Sequence, residues 1–179
     1  AASDVYKRQF YNREGIVKEP TTYVVGAGGI GCVLGFCLLS EQRPIILIEV
    51  DEEKIEWGNR NGIECGDPDW DNDDGPSTLP ARFIHWNDWH PEPHDTVYLC
   101  VKCYDNATVL KKMPPGIELI PVQNGYDTAL ENSDHRFEGI ASFVAKCVEG
   151  QARFLITRNG KFHFGPRNGT RLDLARMYW

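Results

Sequence analysis

Glu49, Asp51, Lys102 and Asn124 are the side chains whose type and place could carry chemistry, and a glycine run ahead of them says which chemistry. Residues 23–31 read Tyr-Val-Val-Gly-Ala-Gly-Gly-Ile-Gly, an apolar start followed by G-x-G-x-x-G at Gly26, Gly28 and Gly31. Between a strand and a helix this spacing binds the pyrophosphate of a dinucleotide. Gly26 allows the tight turn. Gly28 lets the phosphates approach, because a Cβ there would collide with them, and Gly31 lets the helix pack closely on the strand. Gly29 and Ile30 open that helix, whose free N–H groups at its positive end hold the anion. The plain alternative is a glycine-rich turn in some other α/β protein.

Glu49 and Asp51 stand about 20 residues beyond the first glycine, where an acidic residue binds the adenosine ribose hydroxyls and repels a 2′-phosphate. Glu52 and Glu53 add negative charge, and no arginine sits at this strand end. The expected cofactor is therefore NAD or NADP, with NAD favoured by Glu49. The competing reading makes these carboxylates caps of the helix that starts near Asp51. Lys102 and Asn124 each follow a predicted strand. Ligands of open parallel sheets bind beyond the carboxyl ends of the strands, so both residues should face the cofactor cleft. Each has a bland alternative: a strand-end lysine reaching solvent, and an Asn124-Gly125 turn pair bonded to its own backbone.

Three other constellations carry less. Asp69, Asp71 and Asp73 alternate as in a calcium loop, but Asp74 stands where the loop needs glycine and Pro80 where it needs glutamate. His85, His90 and His94 lie among carboxylates and prolines without a metal-ligand spacing. Cys100 and Cys103 form C-x-x-C, yet Cys100 falls inside a strand, whereas a redox pair opens a helix. No metal is expected. Cys32 and Cys37 read as helix packing.

The elements that must position these residues alternate regularly. Strands are predicted over 21–25, 44–50, 81–86, 96–101 and 117–122, and helices over 30–41, 51–59 and 106–113. The β-branched run at 44–50 suits a parallel strand buried on both faces, and the strand–helix–strand unit is right-handed. Further strands are expected over 140–148, 153–158 and 161–165, with Asn159-Gly160 turning the last two into a hairpin. The fold class is α/β: a Rossmann-type, doubly wound, mostly parallel sheet with antiparallel edge strands. A final helix is expected over 170–179.

The chain has 179 residues, 41% hydrophobic and 25% charged, which is ordinary globular composition for one domain with a core. Its formal net charge of -7 argues against nucleic-acid and anionic-membrane partners. No apolar run reaches the roughly 18 residues of a membrane span, and no signal-peptide pattern is present. With six cysteines placed mostly in core elements, the expected setting is reducing and cytoplasmic. The dinucleotide-binding domain is assigned to 21–168, after an extension over 1–20. Within the extension, residues 4–9 resemble the translated transposon end of a sequencing library, so 1–9 are read as artefactual. The chain is expected to be a fragment, ending inside an unfinished helix.

Four segments together resemble the N-terminal domain of the ketopantoate reductase (2-dehydropantoate 2-reductase) family. They are Gly26-Ala27-Gly28-Gly29-Ile30-Gly31, Leu99-Cys100-Val101-Lys102-Cys103-Tyr104-Asp105, Pro121-Val122-Gln123-Asn124-Gly125-Tyr126-Asp127 and the stretch from Arg158 to Pro166. Their order and spacing match over residues 21–166. The glycine motif is common to many folds, but the V-K-x-Y and Q-N-G pair is much more specific. The resemblance implies a two-domain enzyme that passes hydride from a reduced nicotinamide to the ketone of a small 2-keto acid. It places Asn124 beside nicotinamide and substrate, and Lys102 in the cofactor cleft. The amide could donate to the keto oxygen as charge develops there, and the lysine cation could hold cofactor or substrate carboxylate. The family's general acid belongs to a helical C-terminal domain missing from this chain. Where the family usually carries an arginine for the 2′-phosphate, this chain has Val50 between Glu49 and Asp51. Two other readings stay open: a non-catalytic module that senses dinucleotides, and a relative of polyol-phosphate dehydrogenases. The substrate and the oligomeric state are left undetermined.

Overall fold

The computed structural model of the chain describes residues 19–66, 77–125 and 127–167. The acidic stretch around Asp69, Asp71 and Asp73, residues 1–18 of the extension and the helix expected over 170–179 lie outside these residues.

Five strands, β1 (Thr22–Val25), β2 (Ile46–Glu49), β5 (Arg82–His85), β6 (Thr96–Leu99) and β7 (Glu118–Pro121), form one wholly parallel sheet in the order β5-β2-β1-β6-β7. Numbered within the sheet this is 3-2-1-4-5, the winding of a dinucleotide-binding fold, with its switch point between β1 and β6. Side chains alternate across each strand. Val24, Leu47 and Phe83 enter one core, while Val25, Ile48, Val97 and Leu99 enter another on the opposite face. Both faces are covered, so these strands are apolar throughout rather than alternating.

Helix α1 (Gly29–Ser40) lies in the first core with Cys32 and Val33 buried. A second sheet covers it, ordered β4-β3-β10-β9 from β3 (Ile63–Cys65), β4 (Ser77–Leu79), β9 (Val144–Cys147) and β10 (Arg153–Arg158). Strands β3 and β4 are absent from the sequence reading, since three residues are too few for a period-2 pattern to register. Helix α2 (Glu52–Asn61) presses Gly58 onto the Phe83 ring, where a Cβ would come within 2.5 Å of it. Asn59 holds the same residue: its amide accepts from the Phe83 N–H at 2.8 Å and donates to the Phe83 carbonyl at 3.0 Å. The helix expected over 106–113 is shorter, a 3-10 turn at Cys103–Asp105 leading into α3 (Asn106–Leu110). After β7 comes α4 (Thr128–Glu131).

The Asn159-Gly160 hairpin does not form. β10 pairs with β9, whereas β11 (Phe162–Pro166) pairs with β8 (Phe137–Ala141), both antiparallel and in different sheets. Residues 137–147 and 153–166 are thus two halves of one long bent hairpin. Its real turn is at 148–152, with Gly150 at φ +65 and the Val148 N–H donating to the Arg153 carbonyl. Gly160 marks the bend. There the two chains cross so closely that a Cβ on Gly160 would stand 2.5 Å from the Phe143 nitrogen. Ser142 locks the crossing through its N–H to the Lys161 carbonyl and its hydroxyl oxygen to the Lys161 N–H, both at 2.9 Å. The expected strand over 140–148 is broken at the same place. The ribbon attaches beside edge strand β7 by one parallel bridge, Val122 to Gly139.

Candidate functional site

The carboxyl ends of β1, β2 and β6 surround a cavity of about 330 Å³ whose walls include Gly26, Gly28, Glu49, Val50, Trp86 and Lys102. The glycine loop crosses it. Gly26 takes φ +94, a conformation that side chains disfavour, while its N–H donates to the Ile48 carbonyl at 2.9 Å. Gly28 is different. A Cβ built on it meets nothing within 4 Å, and its φ of -76 suits any residue. What a side chain there would occupy is the cavity itself. The next two glycines serve packing. A Cβ on Gly29 would come within 2.4 Å of the Ala145 carbonyl oxygen, and one on Gly31 within 1.9 Å of the Gly26 carbonyl oxygen. Ile30 packs against the core without lining the cavity.

Glu49 ends β2 on the cavity wall. Its Oε1 accepts from the Val50 N–H at 2.7 Å and lies 3.4 Å from the Asp51 nitrogen, while its Oε2 lies 3.6 Å from Lys54 Nζ. Two backbone groups and a cation thus fix a carboxylate on the cavity wall at the end of β2. Val50, at the position of the family's usual arginine, is 66% exposed. Asp51 faces its own helix: it is the N-cap of α2, its side chain accepting from the Lys54 N–H at 3.1 Å. That is the capping arrangement, and Asp51 does not line the cavity. Local sequence did not single out Lys54. It reads there as one charge in an acidic run, and its tertiary partner lies 27 residues away.

Lys102 is exposed at the cavity rim. Asn124 stands one strand over, beyond β7, and is not part of the cavity wall. Its amide donates to the Ala141 carbonyl at 2.8 Å and accepts from the Ala141 N–H at 3.1 Å. The side chain therefore continues the ladder that Val122 begins with β8, and it repeats what Asn59 does for Phe83. Behind it runs a network that sequence reading missed. Gln123 Nε2 donates to the Val101 carbonyl at 2.6 Å and to Asn106 Oδ1 at 2.7 Å. Asn106 Nδ2 donates to Gln123 Oε1 at 2.9 Å and to Asp127 Oδ2 at 2.7 Å. Asn106 is wholly buried, and the network binds the Lys102 turn to the Asn124 turn. Nothing local marks these residues, because their partners are 17 to 22 positions away.

Ala141 is 2% exposed, so its backbone groups depend on that amide. Asn124→Ala is expected to lower stability by about 1–3 kcal/mol, the cost of orphaning buried polar groups. Thermal and urea melts of the unliganded chain check this. An unchanged midpoint would mean that water replaces the amide freely.

All six cysteines are free thiols. Cys100 is half-buried in the loop after β6, and desolvation pushes its thiol well above the ordinary range. Cys37 lies exposed on α1. Cys32 and Cys147 are hydrogen-bonded neighbours beneath the glycine loop, their Sγ atoms 3.1 and 3.8 Å from the Ala27 carbonyl oxygen. Their mutual hydrogen bond pushes Cys32 up and holds Cys147 below the usual thiol range. His85 Nδ1 accepts from the Asn87 N–H at 3.1 Å. Among the described residues no group of three or more His, Cys, Asp or Glu side chains could hold a metal ion. Nor is any described helix long and apolar enough to cross a membrane.

Known proteins give this geometry a context. The family model described as Ketopantoate reductase PanE/ApbA matches residues 22–169. No curated protein sequence matches significantly. Among solved structures, the probable 2-dehydropantoate 2-reductase panE of Bacillus subtilis superposes with a TM-score of 0.70 at 14% identity, over 88% of this chain and 53% of that one. The 2-dehydropantoate 2-reductase of Methylococcus capsulatus gives 0.67 at 17% identity, over 88% and 52%. D-mandelate dehydrogenase in complex with NADH gives 0.66 at 15% identity, over 88% and 50%. At such identities the superpositions establish the fold, and this chain spans about half the length of each of these structures. The match over residues 22–169 establishes the family: the chain belongs to the ketopantoate reductases, a family of NAD(P)-dependent oxidoreductases.

Proposed function

We propose that residues 21–168 form the cofactor domain of an oxidoreductase that reduces the ketone of a small 2-keto acid, with NADH preferred to NADPH. The observation that carries the reading is the cavity wall itself: Gly28, bare and facing open space, beside Glu49, a carboxylate held at the end of β2. The fit is chemical. A pyrophosphate needs a loop without a Cβ at the contact point, and ribose hydroxyls need a fixed acceptor.

When bound, the reduced nicotinamide supplies the hydride. The chain's own residues bind and orient. Gly28 and the first turn of α1 receive the phosphates, and Glu49 accepts from the ribose hydroxyls. Its charge opposes a 2′-phosphate. Lys102 offers a cation at the rim for a phosphate or a substrate carboxylate. Asn124 has two amide N–H groups. Ala141 engages one, which leaves the other to donate to the keto oxygen. The D-mandelate dehydrogenase neighbour was solved with NADH and anilino(oxo)acetate, which suits a keto-acid reading of the shared fold.

Side-by-side fluorescence titrations of NADH and NADPH test the cofactor half. NADH is expected to bind more tightly, and Glu49→Gln should weaken NADH and narrow the gap by about tenfold, the worth of one charged hydrogen bond. A preference unmoved by Glu49→Gln removes the role given to that residue. Tighter NADPH binding by the unaltered chain reverses the preference.

A further inference from the structure

Three groups converge on one backbone atom below the cavity. Lys54 Nζ donates to the Ala27 carbonyl oxygen at 3.3 Å, and the thiols of Cys32 and Cys147 flank the same oxygen. Ala27 is the residue between the first two motif glycines and is completely buried. Lys54 is itself held: its side chain is 12% exposed, it pairs with Glu49, and its N–H is fixed by the Asp51 cap.

A planar trans peptide points its carbonyl and its following N–H in opposite directions, and among the described residues no peptide bond is cis. Drawing the Ala27 carbonyl towards Lys54 therefore turns the Gly28 N–H to the opposite side of the peptide, and Gly28 itself borders the cavity. Were this peptide to flip, a carbonyl oxygen would face the cavity and repel an anion. We propose that Lys54 is a positioning residue for dinucleotide binding: its ammonium holds the Ala27 carbonyl so that the Gly28 N–H faces the phosphates. This rests on the dinucleotide reading above. Lys54 reaches no phosphate. It acts through the peptide, and by pairing with Glu49 it ties the phosphate loop to the ribose carboxylate. Without Lys54, Glu49 keeps two anchors, the Val50 and Asp51 N–H groups that face its Oε1.

The test compares three ligands by calorimetric titration: NADH and ADP, which carry a pyrophosphate, and adenosine, which does not. Lys54→Met is expected to weaken NADH and ADP on the order of tenfold, the worth of a charge-assisted hydrogen bond, and adenosine by no more than about twofold. Lys54→Arg keeps a cation within reach and should recover most of the loss. Melting temperatures of both variants separate the effect from folding, since a general loss of structure weakens all three ligands alike. An equal loss for adenosine and ADP, or no loss for either, overturns the positioning role. Failure of the unaltered chain to bind any of the three overturns the dinucleotide reading instead.

Discussion

Gly28→Val is expected to abolish dinucleotide binding and to leave the melting temperature of the unliganded chain where it was. The two halves of that result have separate causes. The fold tolerates valine because Gly28 has an ordinary negative φ and no atom within 4 Å of a Cβ. β-Branched side chains are comfortable in its extended conformation. Binding does not tolerate it, because the added methyl groups occupy the space that the phosphates need and hold them away from the N–H groups of the loop. Losing that contact should cost more than about a hundredfold in affinity for NADH, or about 2.7 kcal/mol. Titration paired with a thermal melt reads both halves. Retained NADH affinity would mean that the G-x-G-x-x-G run is a packing device only. A large drop in melting temperature would mean that the open space beside Gly28 is filled in solution.

The reverse pattern is expected at Gly31. Its Cβ would stand 1.9 Å from the Gly26 carbonyl oxygen and 3.4 Å from Cys100 Cβ. The nearest obstacle is backbone, which has no rotamer to yield. Alanine there must push α1 off the loop after β1, opening the core around Val24, Cys32 and Val33. Overpacking of this kind costs about 1–3 kcal/mol, occasionally more, and the rigid obstacle puts Gly31→Ala at the upper end. Denaturant melts should show it without any ligand. Two alanine-sized changes three residues apart thus separate the two demands on the motif: Gly28→Ala, mild on the fold, and Gly31→Ala, severe. Equal midpoints for the two would contradict the packing seen here.

Part of this protein is local and was legible in the residue order. The parallel strands declared themselves because both of their faces are buried, which makes apolar runs such as residues 45–48 unbroken. The glycine loop declared itself because turn, approach and packing each demand a missing Cβ at a fixed spacing. Asp51 was legible both as a ribose ligand and as a helix cap, and local order could not choose. The tertiary arrangement places it as the cap, with Glu49 on the cavity wall.

Other features depend on partners far along the chain. Asn159-Gly160 is as good a turn pair as any, yet the chain bends there without reversing. The turn had already been made at 148–152, and the crossing of Ser142 with Gly160 requires a residue without a side chain. Asn124 could be placed at a strand end from the sequence, but its clasp on Ala141 could not. Lys54 carried no local signal at all. The sequence by itself determined the α/β class, the winding of the first strands and the glycine loop between β1 and α1, because backbone conformation and burial pattern set these within a few residues. Only the tertiary structure decided which carboxylate faces the cavity, which amide is pinned and which lysine holds the Ala27 carbonyl. Each of these is a hydrogen bond or ion pair whose geometry exists only once helix, loop and strand have packed together.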